Sequence, residues 1–224
     1  MTSTDGESHD LAVSVPARPG SVAPAIIALT AAVAFGAVDQ YLPVAIPMSS
    51  HLSAYLFAVE VSGMSAPWLL LPFLAGAWQG GQRRAALVGL AATWLAVLAY
   101  VLMIVSPMEG VHLTLRTFAF TLASQWPWFA GGLIAGPLYG WLGHRWRAGR
   151  HPAAALLAAL PILLEPAARW LGTRLGLFST RWLSVQWPLQ HGGLAAEFAE
   201  LAVGMLLTGA LIRVIARGRA FARA

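Results

Sequence analysis

Residues 85–105 read AALVGLAATWLAVLAYVLMIV, an unbroken stretch without a charged side chain. As a helix, about 20 such residues match the hydrocarbon thickness of a bilayer. Gly81-Gln82-Arg83-Arg84 closes the stretch on one side, and Ser106-Pro107 follows on the other.

Similar runs recur along the chain. Candidate spans fall at 22–39, 65–80, 122–143, 152–172 and 194–214, giving six with the run at 85–105. The second is short, and residues 54–64 either extend it as a bent helix or leave the bilayer to adapt. Residues 52–61, which carry Glu60, are apolar enough for a short interfacial or re-entrant helix. The fourth contains Pro127 and Pro137, which a membrane helix tolerates when neighbours satisfy the freed carbonyl. The expected fold is therefore all-α, a polytopic membrane bundle of about six transmembrane helices with a short or broken second and fourth. Residues 1–21 are polar, acidic at first and broken by Pro16, Pro19 and Gly20, so a disordered cytoplasmic tail is expected. Asp5, Glu7 and Asp10 stand where a secretory signal would be basic, so the first apolar run is expected to be retained as a span. The six spans occupy 22–215, and a basic cytoplasmic tail fills 216–224.

Composition agrees. Of 224 residues, 58% are hydrophobic and 10% charged, against about 25% charged in an ordinary soluble domain. A water-exposed globule would lack polar surface, and without any Cys a disulfide scaffold is excluded. All 14 basic residues are Arg and the net charge is +5. They are dispersed at the ends of apolar runs, which argues against nucleic acid as a partner and for an orienting role at a lipid bilayer. An N-in, C-in topology puts Arg18, Arg83, Arg84, Arg145, Arg147, Arg150, Arg213, Arg217, Arg219 and Arg223 in the cytoplasm. It leaves Arg116, Arg169, Arg174 and Arg181 outside, the asymmetry of the positive-inside rule in a multi-pass plasma-membrane protein.

Few residues could carry chemistry. Gly132, Gly136 and Gly140 share one helical face beside Pro137, a groove for helix packing or, alternatively, a hinge or ligand surface. Glu165 lies inside an apolar run, where an ionised carboxylate costs about 2.5–3.5 kcal/mol on insertion scales. Arg169, at i+4, is spaced for an intrahelical ion pair, and the other reading has both residues lining an outward-facing polar cavity. Glu197 and Glu200 open the sixth span, where the helix dipole favours carboxylates. With Asp39 at the outer end of the first span and Glu60 after it, they could form an acidic vestibule. The six His residues show no metal-ligand spacing within the spans, so no metal site is expected. Phosphate-binding, dinucleotide and nucleophile-elbow motifs are absent, so neither a cofactor nor an enzyme is expected.

Ser62-Gly63-Met64-Ser65-Ala66-Pro67-Trp68, Gly136-Pro137-Leu138-Tyr139-Gly140 and Leu164-Glu165-Pro166 resemble an uncharacterised family of actinobacterial multi-pass membrane proteins. That family brings no assigned activity. Gly131, Gly132, Gly136, Pro137 and Gly140 also match a pattern in the substrate-binding subunits of energy-coupling-factor vitamin transporters, which have a similar length and helix number. This second resemblance implies a solute captured from outside and partner transporter subunits in the membrane and cytosol. The expected function is a non-enzymatic component that binds or helps move a small solute; the alternative is a structural or accessory membrane protein without a ligand.

Overall fold

The computed structural model describes residues 22–46, 52–62, 64–107, 110, 112–149 and 151–174, with positions 201, 202, 205 and 209 besides. Among these residues the chain is all-helical: α1 (Ala23–Ala45), α2 (Leu52–Ser62), α3 (Ser65–Ala77), α4 (Gln82–Ile104), α5 (Leu115–Ser124), α6 (Trp126–Gly149) and α7 (Pro152–Arg174). The polar N-terminal residues, most of the sixth span and the C-terminal tail lie outside the described residues.

Local chemistry sets the boundaries. Pro24 stands in the first turn of α1, where its missing N–H costs nothing. Gly81, in extended conformation, starts α4 and its carbonyl accepts from the Ala85 N–H at 2.9 Å. The Thr114 hydroxyl accepts from the Thr117 N–H at 3.1 Å, while the Thr114 N–H donates to the Thr117 hydroxyl at 2.9 Å. This reciprocal capping box starts α5.

Two boundaries differ from the sequence expectation. The first span runs on to Ala45, so Asp39 lies within the helix, not at its end. The segment 122–143 is broken near its start, not at Pro137. It divides at Gln125, whose N–H still reaches back to Thr121 O (3.1 Å) in α5 and whose carbonyl accepts from Trp128 (3.0 Å) in α6. Pro127 sits in the first turn of α6, where it is tolerated, and α6 continues uninterrupted through Pro137. The segment expected as the second span holds α3, an apolar helix of 13 residues, about 20 Å at ~1.5 Å each.

The five longer elements pack with alternating direction. Gly36 of α1 meets the Ala96 backbone of α4, and Ala28, Ala32, Ala75, Val88, Ala92 and Ala96 form one buried cluster. Trp68 near the start of α3 stacks edge-on against Tyr100 near the end of α4, so these two helices are antiparallel. On α6, Gly132 faces Thr93 while Gly140 faces Ala85, which makes α6 antiparallel to α4. α7 joins through Ala154, Ala155 and Ala158 against Phe73, Tyr139 and Leu142. Ala and Gly are frequent in the interior, beside larger buried side chains such as Val101, Val105 and Ile162. Large apolar side chains face outward, among them Ile26, Ile27, Leu87, Leu102, Ile134, Leu157 and Leu164. Among the described residues two helices, α1 and α4, are long and apolar enough to cross a membrane.

Candidate functional site

The bundle has two chemically different ends. At one, α4 begins with Arg83 and Arg84, and α6 finishes with His144, Arg145 and Arg147. At the other lie Asp39 of α1, the start of α3 and Glu165 of α7.

α3 is held at both ends by side chains from other helices. Its first residue, Ser65, follows Met64, which supplies no side-chain cap. The Glu165 carboxylate fills that role from α7: the Ser65 N–H donates to both of its oxygens at 3.2 Å, and the Ser65 hydroxyl donates to Oε2. At the far end Arg147 Nη1 donates to Ala77 O at 3.3 Å, and His144 Nδ1 lies 3.0 Å from Gln79 O. An anion at the N-terminus and a cation at the C-terminus both match the helix dipole. Glu165 is 6% exposed, and Ser65 lies 100 positions away from it in the chain. Arg169 follows one turn later on α7.

The glycine face of α6 is occupied by neighbouring helices. A Cβ at Gly136 would lie 2.8 Å from Leu90 Cα and 3.0 Å from Thr93 Oγ1. At Gly140 it would strike the Ala85 carbonyl, and Gly140 in turn presses its own backbone on Gly76 of α3. Pro137, on the same stretch, is half-buried.

Asp39 is arranged otherwise. The residue is 8% exposed and its carboxylate accepts a hydrogen bond from the Trp68 side chain, while Oδ2 has no partner among the described residues. Four residues on, Pro43 has no N–H to give the Asp39 carbonyl, so that acceptor lacks its regular helical donor. Phe35, one turn before Asp39, packs edge-on against Trp68 with centroids 5.1 Å apart at 77°. Trp68 stands at 78° to Tyr100 with centroids 6.0 Å apart. The three rings are half-buried.

Ser65 and Trp68 are three residues apart on α3, so the contact points of Glu165 and Asp39 share one helical turn. The structure thus brings two of the carboxylates singled out from sequence to the start of one helix. Glu60 lies on α2, which packs on α1. Glu197 and Glu200 lie outside the described residues. Sequence reasoning missed Phe35, Trp68 and Tyr100 as a group. Their one sequence signal is that Phe35 and Asp39 share a face at i+4.

A family match spans residues 15–164, two-thirds of the chain. The chain belongs to DUF6518, a family of unknown function. The DUF6518 stretch includes Asp39, Trp68, Tyr100 and the glycine face, and it stops one residue before Glu165. No curated protein and no solved structure matches this chain.

Proposed function

We propose that this chain is a multi-pass plasma-membrane protein that binds, or helps move, a small solute at the Asp39 end of its bundle. In this reading six spans cross the bilayer with both chain ends in the cytoplasm. The distribution of side-chain size supports the membrane assignment. Contiguous exposed apolar surface is unusual on soluble monomers. Small residues inside and large apolar residues outside are the arrangement expected of helices packed in lipid. The gathering of Arg83, Arg84, Arg145 and Arg147 at one end agrees with a cytoplasmic face there.

The solute-binding part is carried by one observation: Asp39 is buried in an apolar bundle with a carboxylate oxygen that has no hydrogen-bond partner among the described residues. Charged groups within membrane spans are functional candidates by default, because their insertion is costly. The likeness to substrate-binding subunits of energy-coupling-factor transporters rests on the glycine-proline pattern of α6, and partner transporter subunits belong to that likeness. The accessory reading draws on a different observation, since Glu165 and the glycine face are both engaged in holding helices together.

Two measurements test the proposal. The chain has no Cys, so single cysteines report sidedness directly. Leu113→Cys is expected to react with an impermeant maleimide in intact cells, and Gly80→Cys only after permeabilisation; labelling of both from outside refutes the topology. For the site, a thermal-shift screen in detergent over amino acids, vitamins and small ions is expected to give a solute that stabilises the wild type and not Asp39→Asn. A screen with no stabilising solute favours the accessory reading.

A further inference from the structure

We infer that the solute taken at Asp39 is an organic ammonium ion, held between the carboxylate and the rings of Phe35, Trp68 and Tyr100. The inference rests on the solute-binding reading above and adds its chemical class.

The first argument is the excess of acceptors. Asp39 presents an unpartnered carboxylate oxygen and, one turn before Pro43, a backbone carbonyl that lacks its helical donor. Against these, the donor shown for the carboxylate is the Trp68 side chain. Among the described residues no cationic side chain pairs with Asp39. A ligand that completes the site brings a donor for that oxygen, and a cationic N–H also compensates the carboxylate when it is ionised. An anion is repelled. A neutral donor satisfies the oxygen and leaves the buried charge uncompensated.

The second argument is the wall. Trp68 stands nearly perpendicular to both Phe35 and Tyr100, at 77° and 78°. An alkylated ammonium head is drawn to aromatic faces, and the faces these edge-to-face contacts leave uncovered are the ones it would use. All three residues are half-buried, so none is wholly enclosed by the bundle. Hard metal cations instead take six or more oxygen ligands. Three of the four side chains named here are aromatic and supply no such set. The chemistry favours a soft cation with alkyl substituents over Na⁺ or Ca²⁺.

The test uses the full chain in detergent, with trimethylammonium chloride, tetramethylammonium chloride, neutral tert-butanol and sodium chloride at matched ionic strength. Trimethylammonium is expected to raise the Tm of the wild type, with tetramethylammonium weaker because it has no N–H. Neither tert-butanol nor sodium chloride should reproduce the shift. Asp39→Asn should abolish the response, and Phe35→Leu should weaken apparent affinity at least fivefold. Should Asp39→Asn not fold, Phe35→Leu and the neutral isostere carry the test. An equal response to tert-butanol or sodium chloride overturns the inference, as does an ammonium response that survives Asp39→Asn. Silence of both ammonium probes, with an Asp39-dependent response to some other solute class, overturns the ammonium assignment and leaves solute binding standing. Silence to every solute overturns both.

Discussion

Glu165 and Asp39 are both buried carboxylates whose contacts meet at the first turn of α3, yet their surroundings differ. Glu165 receives the Ser65 N–H and hydroxyl at the positive end of a helix dipole. Asp39 receives one indole N–H and keeps an oxygen without a partner. A carboxylate used to join two helices is surrounded by donors. The contrast teaches that burial alone does not mark a binding residue; the unmet acceptor does.

The sharpest way to break this comparison is to disturb the frame that holds both residues. Gly140→Leu places a side chain against the Ala85 carbonyl and the Gly89 backbone, neither of which can yield. It should destabilise the protein by about 3 kcal/mol or prevent assembly, at the top of the usual overpacking range. Gly131→Leu, with nothing within 4 Å of its Cβ, should behave as wild type in the same thermal unfolding assay. Equal behaviour of the two would dissolve the α4–α6 seam.

Next in size, Glu165→Ala strips the cap from α3 and leaves the Ser65 N–H without its acceptor. The expected loss is about 1–3 kcal/mol, with faster amide exchange over the first turn of α3. Asp39→Asn should move stability the other way or not at all, by about 1 kcal/mol at most, since it removes an uncompensated buried charge. Similar losses in both variants would mean that Asp39 is a structural residue like Glu165. Arg147→Ala should have the smallest effect, about 0.3–1 kcal/mol, the ordinary worth of a cation at a helix C-terminus. Its effect should shrink in high salt, and a salt-independent loss would point to packing by the side-chain stem instead.

Much of the helical layout was legible because its signals are local. The charge-free run at 85–105 specifies a long apolar helix on its own, and α4 spans Gln82–Ile104. The i+4 spacing of Gly132, Gly136 and Gly140 puts them on one face wherever that helix packs. The break at Gln125 was less legible, because Pro127 reads equally as an interior kink or a first-turn residue. Glu165 and Arg169 invited an intrahelical pairing by spacing, and no local pattern names Ser65 as the acceptor's partner. Phe35, Trp68 and Tyr100 lie on three different helices, so their perpendicular arrangement has no trace along the chain.

Sequence alone determined where the long apolar helices lie, which faces of α1 and α6 are free of side-chain bulk, and how arginine is distributed along the chain. Each depends on residues within a few turns of one another, and helical geometry fixes their relation before any packing occurs. Tertiary structure alone decided that α7 caps α3, that α4 fills the glycine face, and that Asp39 meets Trp68 with one oxygen left over. Those outcomes depend on which helices become neighbours. Neighbours are chosen by close backbone approach between small residues, a surface match spread over distant segments that no single window contains.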